Sequence, residues 1–540
     1  MTGRNFLVVI LTSPAGTGTR NAPYGAACVA SALKRGGLAD ALVLEGTDSG
    51  DLARRALDLE PDLLGLSLYV WNRATLLDAA AVVRKARPGL TVVAGGPEAS
   101  GDADGVLRSA AVDLVVVGAG EAALPDLVGR LRSGAGLPAQ RTLGVPVTDL
   151  ASLPSPWLDG TLDPARYGGA AMELTRGCPY RCAFCYESKG QKRVLPAPLE
   201  RAALELDAFQ AAGVDEVFVL DPTFNARPER MKAALGLFRE RGAGLRYFLE
   251  LRAELVTPEQ ARLLSGVACS VQLGLQSADP EVLALSDRSG DMTAWSKGAR
   301  MLERAGVTYG VDLIYGLPGD SLAGFRNSLD WAVERGPNHL DLFRLSVLPG
   351  TALRERAESL GLEYQAVPPY AVRSTPTFPA ADLDAAGALS AAADELYNRG
   401  RAVMWFKAVS RLARRKPSAI FEAWAARFAP LPAASPHEAV EERQLAFFGN
   451  LLADQGRNDA SAQAALHLIR ASGAWTRALA DGQPSSLDLD WNPEDLLDAA
   501  SAGIVDFARR WPRSPGTWTC QPGPDGPRFI RARPRRKHAH

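Results

Sequence analysis

The sequence predicts an α/β protein built from a doubly wound parallel sheet, then a partial (β/α)6 barrel, then a mainly helical region. Three observations carry this reading. Apolar runs alternate with helix-length stretches from the N-terminus to about residue 135. The alternation resumes at Ala171 and continues to about residue 350. A segment rich in Pro, Gly and Asp separates the two units, and beyond Tyr370 the strand-like runs stop. Short apolar strands with helices between them specify a parallel sheet covered on both faces.

In the first unit, residues 1–135, FLVVIL (6–11) is the first strand and YGAACVASALKRGG (24–37) a helix closing on glycine. ALVLE (41–45) and LLGLSL (63–68) are strands, and a helix follows over Asn72–Arg87. TVVAGG (91–96) and DLVVVGAGE (113–121) complete five apolar runs. Ligands of such sheets sit outside the C-terminal strand ends. Gly95, Gly96, Gly118 and Gly120 fall there, where they serve either a ligand or tight turns alone. The loop TSPAGTGTRNAPYG contains Gly16 and Gly18 but no G-x-G-x-x-G opening a helix, which argues against a dinucleotide.

Residues 136–170, with LASLPSPWLDG, read as a linker. The second unit, residues 171–365, has strand candidates AMELT (171–175), EVFVLD (216–221), LRYFLEL (245–251), SVQLGL (270–275), TYGVDLIYGL (308–317) and DLFRLSVL (341–348). Six such units exceed a flavodoxin-like sheet and fall short of an eightfold barrel. Residues 366–540 read as mainly helical: ADLDAAGALSAAADELYNRGRAVMWFKAVSRLARR has an apolar stripe and a basic face, the stretch from Leu431 is weakly patterned, and the basic tail, RFIRARPRRKHAH, is expected to be disordered.

Composition narrows the function. The chain has 540 residues, 47% of them hydrophobic and 22% charged, with a net charge of −1. No global field draws nucleic acid or a membrane surface, and no apolar run is long enough to span a bilayer. MTGRNFLVVILTSPAG reads as a first strand rather than a signal peptide. Six cysteines are too few for a disulfide framework. They predict a cytoplasmic protein, in which clustered thiols serve metal binding or catalysis.

Half of those cysteines lie in TRGCPYRCAFCYE (175–187), as Cys178, Cys182 and Cys185. Merely buried thiols scatter, whereas these share a loop with Arg176, Gly177, Pro179 and Arg181. A zinc site wants four ligands, commonly in paired short spacings. Here no second pair exists, Cys28, Cys269 and Cys520 are isolated, and the first histidine is His339. A distant fourth ligand stays open. Three thiolates suit an iron–sulfur cluster with one iron left for an exogenous chelate.

With Phe184 before its last cysteine, this loop resembles that of the radical S-adenosylmethionine (SAM) enzymes over residues 170–350. The resemblance implies a [4Fe-4S] cluster whose open iron is chelated by SAM. It also implies SAM contacts from LELR (Glu250, Arg252), GLQS (Gln276) and IYGLPG (Ile314, Gly316). Each is otherwise a solvated rim position or a turn. The family's frequent Gly-Gly-Glu strand is absent, and Asp221-Pro-Thr-Phe takes its place.

A flavodoxin- or Rossmann-like domain ahead of such a barrel resembles the cobalamin-binding members of this class. The resemblance implies corrin contacts from SLYVWNR (Ser67, Leu68), GGPE (Gly95, Gly96, Pro97, Glu98) and GAGE (Gly118, Gly120, Glu121). With no histidine in this domain, it cannot supply an axial imidazole. Tyr69 and Arg73 are expected at the lower corrin face as the catalytic pair; alternatively Tyr69 and Trp71 only pack the interface. The implied activity is methylation of a carbon in a natural-product intermediate or peptide, using SAM and methylcobalamin. An electron donor such as flavodoxin or ferredoxin is the expected partner, and neither nucleic acid nor membrane is. Ring contraction, cyclisation and a non-catalytic cobalamin or cluster sensor are the rival readings.

Overall fold

The computed structural model describes residues 5–15, 22–146, 149–187, 193–524 and 526–532. Its first sheet contains β1 (Leu7–Thr12), β2 (Asp40–Glu45), β3 (Leu63–Ser67), β4 (Thr91–Gly95), β5 (Leu114–Gly118) and β6 (Thr142–Val145). Their order is β2-β1-β3-β4-β5-β6, and every pairing is parallel. Val8, Val9, Leu64, Leu66, Val92 and Val115 are buried because helices cover both faces. The chain reverses direction across the sheet between β1 and β3, the switch point where such sheets open a crevice.

β6 corrects the expected linker. Residues 142–145 pair with β5 and complete the first sheet, so the first unit extends past residue 135. The crossing itself is anchored rather than loose. Trp157 is 4% exposed, packs edge-on against Phe209 at 5.3 Å, and donates from its indole to the Ala171 carbonyl. Tyr24, at the start of the helix Tyr24–Arg35, stacks on its other side at 6.3 Å. Burying one such indole is worth about 2–3 kcal/mol. This anchor fixes the first sheet's helix against the barrel.

After β7 (Gly169–Met172) and a short antiparallel pair, β8 (Thr175–Arg176) and β9 (Leu195–Pro196), come β10 (Glu216–Val219), β11 (Arg246–Leu251), β12 (Cys269–Gln276), β13 (Thr308–Tyr315) and β14 (His339–Arg344). The order β14-β13-β12-β11-β10-β7 follows the sequence, and all pairings are parallel. This is the expected six-stranded partial barrel. Its open edge at β14 is blunted, as unpaired strand edges usually are. Asn398 accepts from the Leu340 amide and donates to the Leu340 carbonyl, and Ser390 donates to the Leu342 carbonyl.

Both residues come from the C-terminal region, which holds the barrel edge with helices packed on Trp405, Phe406, Phe421 and Trp424. That region is not purely helical. A three-stranded antiparallel sheet joins Ser485–Leu489, Gly516–Gln521 and Arg528–Arg531. The start of the tail expected to be disordered is therefore an edge strand, and residues 533–540 lie outside the described residues. Among the described residues no helix is long and apolar enough to cross a membrane.

Candidate functional site: two facing cofactor cradles

The cysteine loop leaves β8 at the top of the barrel. Its backbone is pinned from both sides. Ala183 donates to the Ser286 carbonyl and accepts from the Leu353 amide, while the Cys185 amide closes a turn on the Cys182 carbonyl at 3.1 Å. All three cysteines are free and partly exposed. Thr223 lies 3.8 Å from the Cys178 sulfur, and the Arg288 guanidinium lies 3.7 Å from that of Cys182. Burial pushes the Cys185 thiol up to about 12, with the neighbouring Glu187, Cys182 and Cys178 adding to it. Such a thiol ionises only for a strong cation, which a cluster iron is. Among the described residues no three metal-ligating side chains converge tightly enough for a single ion. Three thiols set apart on one loop suit separate corners of a polynuclear cluster.

Asp221, which stands in place of the Gly-Gly-Glu strand, is committed to protein contacts. Its carboxylate is 2% exposed and accepts from the Leu174 and Thr175 amides at 2.8 and 2.9 Å and from the Thr175 hydroxyl at 2.5 Å. It holds the start of the cysteine loop and is not free for a ligand's amino group.

Inside the barrel, strand register assembles side chains that the sequence scatters. Glu250, Gln272, Gly310 and His339 form one layer, and Gly274, Asp312 and Asp341 the next. Gln272 donates to Asp312 and to Asp341, the latter at 2.8 Å. Gly310 makes this possible, because a Cβ there would stand 2.1 Å from the Gln272 side-chain oxygen. A cavity of about 740 Å³ runs along this ladder, with the stacked Phe218 and Phe248 rings (4.7 Å) on its wall and Glu187 at its rim. Glu250, itself exposed, lines this space. Burial, then Asp312 and Glu187, raise its carboxyl to about 7. Burial likewise raises Asp312 to about 6.

The other expected SAM residues divide. Arg252 is buried, pairs with Glu254 at 2.7 Å and Ser289 at 3.1 Å, and lies over the Tyr180 ring at 3.8 Å, so it braces the cysteine loop. Gln276 sits at φ +72° at the β12 bulge, a conformation costly outside glycine and held by its surroundings. Phe184 and Ile314 pack partly buried against the main core. Gly316 is explained by protein packing, since a Cβ there would meet Val372 at 2.7 Å and Leu383 at 2.9 Å.

At the first sheet, a cavity of about 510 Å³ lies over the C-terminal ends of β1, β3, β4, β5 and β6. Ser67, Tyr69, Gly95, Gly96, Pro97, Gly118, Gly120 and Glu121 line it. It is a cradle made by missing side chains. A Cβ at Gly118 would meet nothing within 4 Å, and at Gly95 and Gly144 nothing nearer than 3.9 and 3.8 Å. Arg176, Gly177, Tyr186 and Glu187 of the cysteine loop close the same cavity from the barrel side. Arg176 joins the two domains. It donates to Glu173 at 2.7 and 2.8 Å and to Glu121 at 2.9 Å. Burial works against its charge, but Glu173 and Glu121 outweigh burial and raise the guanidinium above its ordinary value.

The structure places Leu68, Arg73 and Glu98 away from this cavity. Leu68 is fully buried, and its carbonyl would lie 2.5 Å from a Cβ at Gly96. Arg73 is bound by Glu98 at 2.6 Å, Asp102 at 2.8 Å and the Tyr370 hydroxyl at 2.8 Å. Its charge is neutralised in a second contact between the domains, so the expectation of a free guanidinium under the corrin is corrected. Tyr69 does reach the cavity, stacked on the half-exposed Trp71 at 4.5 Å. Arg176, Tyr186, Glu187 and the Gln272–Asp312–Asp341 ladder are the site residues that sequence reasoning missed.

Residues 172–332 match the Radical SAM superfamily and residues 15–128 the B12 binding domain. Among curated proteins the chain is similar to the cobalamin-dependent radical SAM methyltransferase TokK of Streptomyces tokunonensis, 29% identical over 356 residues that cover 56% of this chain and 50% of that one. A 2-(S-pantetheinyl)-carbapenam-3-carboxylate methyltransferase of Streptantibioticus cattleyicolor is 28% identical over 352 residues, covering 57% and 50%. The chain thus spans about half the length of the curated relatives it matches. Among solved structures, the cobalamin-dependent S-adenosylmethionine radical enzyme OxsB superposes with a TM-score of 0.61 at 13% identity, over 94% of this chain and 85% of that one. The methyltransferase TsrM of Kitasatospora setae superposes with a TM-score of 0.56 at 18% identity, over 68% and 78%. The cofactors are accordingly a [4Fe-4S] cluster, SAM and cobalamin, and the residues present fit them: free thiols on one pinned loop, and a cradle of glycines over the strand ends. The chain thus carries a B12 binding domain followed by a radical SAM domain, the pairing of the cobalamin-dependent radical SAM proteins to which it is similar.

Proposed function

We propose that the protein is a methyltransferase that moves a methyl group from SAM, by way of cobalamin, to a carbon of a small natural-product intermediate or peptide. The observation that carries this is the shared wall between the two cradles. Arg176, Gly177, Tyr186 and Glu187, from the loop that bears the cysteines, also close the glycine-lined cavity of the first sheet. A chain that bound the cofactors for unrelated purposes would not need them face to face. The methyltransferase activities named for the curated relatives support the same reading.

The bound cofactors supply radical generation and methyl transfer. The chain's own residues do the rest. Cys178, Cys182 and Cys185 hold the cluster, while Arg252 and Tyr180 stiffen their loop. Gly95, Gly118 and Gly144 leave the volume that a large planar ligand needs. Tyr69 presents an aromatic face there and carries no basic nitrogen that could ligate a metal. Phe218 and Phe248 give the barrel cavity an apolar wall for the substrate, and its polar ladder orients that substrate. Glu250, with its carboxyl near 7, holds or releases a proton inside that cavity at neutral pH.

The test is anaerobic reconstitution with all three cofactors and candidate substrates, read by mass spectrometry. A product heavier by one methyl group supports the proposal. SAM consumption that yields a rearranged or cyclised product of unchanged carbon count contradicts it, and no SAM consumption under any condition points to a sensor.

A further inference from the structure

Two rims of the glycine-lined cradle hang from one short helix, Pro97–Gly101. Gly96 and Pro97, at its start, line the cavity. Ser100 accepts from the Gly118 amide at 2.9 Å, so the glycine end of β5 moves with the same helix. The helix in turn rests on residues 345–374, which follow β14. A Cβ at Gly101 would stand 2.7 Å from the Pro349 carbonyl oxygen, and one at Gly350 would stand 3.0 Å from both the Gly101 Cα and the Tyr186 ring. This segment also holds the cysteine loop, because the Leu353 amide donates to the Ala183 carbonyl at 2.8 Å. It is a strap that touches both cradles. Its own bonds make it stiff. Arg354 donates to the Val347 carbonyl at 3.0 Å and lies over the Tyr364 ring at 4.2 Å. The Val347 amide donates to the Tyr370 carbonyl at 2.9 Å, and the Val372 amide to the Leu345 carbonyl at 2.8 Å.

Tyr370 closes the strap onto the helix. It is 1% exposed, and its hydroxyl donates to Glu98 and accepts from Arg73 at 2.8 Å. Burial, then Glu98, holds that hydroxyl above its ordinary value, so it stays a donor at neutral pH. Its backbone lies at φ +57°, in the left-handed region that glycine enters freely and a bulky side chain enters at a cost. Such strain persists only where the surroundings over-determine it, and it concentrates at functional sites. The ring and hydroxyl are what tyrosine brings against that cost. Glu98 does not need them for neutralisation, since Arg73 pairs with it at 2.6 Å and with Asp102 at 2.8 Å. We propose that Tyr370 is a positioning residue, whose hydroxyl locks the helix Pro97–Gly101 to the strap and thereby fixes the separation of the cobalamin from the cluster. Packing at Gly101 and Gly350 alone lets the helix slide, whereas a hydrogen bond to a carboxylate is directional. The consequence for rate is large, because a misplacement of about 1 Å can cost roughly 100-fold. The inference rests on the reading of the two cradles as partners in one methyl transfer, but its first readout needs no turnover.

The test uses the full chain reconstituted with cluster and cobalamin, poised so that cob(II)alamin and the reduced cluster are both paramagnetic. Pulsed dipolar electron paramagnetic resonance then reads their separation. Wild type should give one narrow distance distribution. Tyr370→Phe keeps the ring and loses the hydroxyl, and should broaden that distribution about twofold or more. Gly101→Ala wedges the helix off the strap without removing a hydrogen bond, and should shift the distribution to longer distance. Tyr364→Phe removes a hydroxyl from the same strap away from the helix, and should match wild type. The kinetic counterpart is a split. Transfer of the SAM methyl group to cobalamin should fall about 10- to 100-fold in Tyr370→Phe, while SAM cleavage to 5′-deoxyadenosine, which needs the cluster alone, stays within about twofold. If the distance changes in the variants but wild type itself makes no methylcobalamin, the positioning role stands and the methyl-transfer reading falls. The same distribution in wild type, Tyr370→Phe and Gly101→Ala would overturn the proposal. So would a parallel loss of both rates in Tyr370→Phe, the mark of a merely structural role.

Discussion

Replacing Arg176 with Ala removes a polar tie between the two cofactor cradles. Its guanidinium is 24% exposed, and its partners Glu121 and Glu173 are 8% and 13% exposed. Removing one member of a buried ion pair costs about 3–5 kcal/mol, because the remaining charge stays desolvated. The partial exposure here discounts that to about 2–3 kcal/mol. Two carboxylates would then face each other across the interface with no cation between them. At 1.4 kcal/mol per tenfold, the equilibrium that docks the first sheet on the cysteine loop should shift roughly 30- to 150-fold toward opening. Hydrogen–deuterium exchange reads this directly. Peptides covering 172–187 and the helix Gly120–Arg132 should exchange faster, and cobalamin retention after gel filtration should fall at least tenfold. Arg176→Lys keeps the charge but not the fork that bridges two carboxylates, and should fall between. Exchange and cobalamin retention equal to wild type in Arg176→Ala would refute the reasoning, leaving the coupling between domains to the Arg73–Glu98–Tyr370 contact and to hydrophobic contacts such as Trp157.

Four further outcomes follow from the geometry. Replacing any of Cys178, Cys182 or Cys185 with Ala should abolish the visible absorbance of the reconstituted cluster, while Cys28→Ala, Cys269→Ala and Cys520→Ala keep the iron content of wild type. Gly144→Leu, whose Cβ meets no protein atom nearer than 3.8 Å, should fill the cradle and lower cobalamin affinity at least tenfold without loss of iron. Glu250→Gln should flatten the pH dependence of SAM cleavage between about pH 6 and 8, because the native carboxyl titrates near 7. His437 is 8% exposed, and burial, then Arg401 and Arg477, hold it down to about 4. The unfolded chain therefore binds that proton more tightly than the folded one. The stabilisation is complete above about pH 6.5, and about 3 kcal/mol of it is lost as the pH falls toward 4. Thermal unfolding followed over that range should show the loss in wild type and a smaller one in His437→Gln.

Much of this was legible in the sequence, for physical reasons that can be named. The strands of the first sheet are buried on two sides, so they appear as continuous apolar runs such as LVVILT, and most strand ends fall close to expectation, although AMELT, DLVVVGAGE and DLFRLSVL run past the ends of the strands they predict. The cysteine spacing is local chemistry and needs no tertiary information. The glycines of the cradle are visible because a cavity over strand ends has to be made from residues that omit side chains. What stayed hidden depends on register and on distant partners. TLGV pairs only with β5 and lacks a long apolar run, so β6 passed for linker. Ser485–Leu489 alternates exposure on a small sheet amid helices. Arg73 looked available because Glu98, Asp102 and Tyr370 meet it only in the fold, Tyr370 from 297 residues away. Gln272, Asp312 and Asp341 are polar residues on three separate strands, and only the pairing Asp312 to Asp341 and the gap at Gly310 make them one network.

The central claim, that the facing cradles pass a methyl group between their cofactors, can be tested without knowing the substrate. The reconstituted protein is reduced under anaerobic conditions with SAM carrying a trideuterated methyl group, and the cobalamin is then extracted and weighed by mass spectrometry. The account predicts extracted cobalamin bearing the trideuterated methyl, with one S-adenosylhomocysteine formed per label, and loss of both in Gly144→Leu protein. Cobalamin that stays unlabelled while SAM is cleaved to 5′-deoxyadenosine would contradict it.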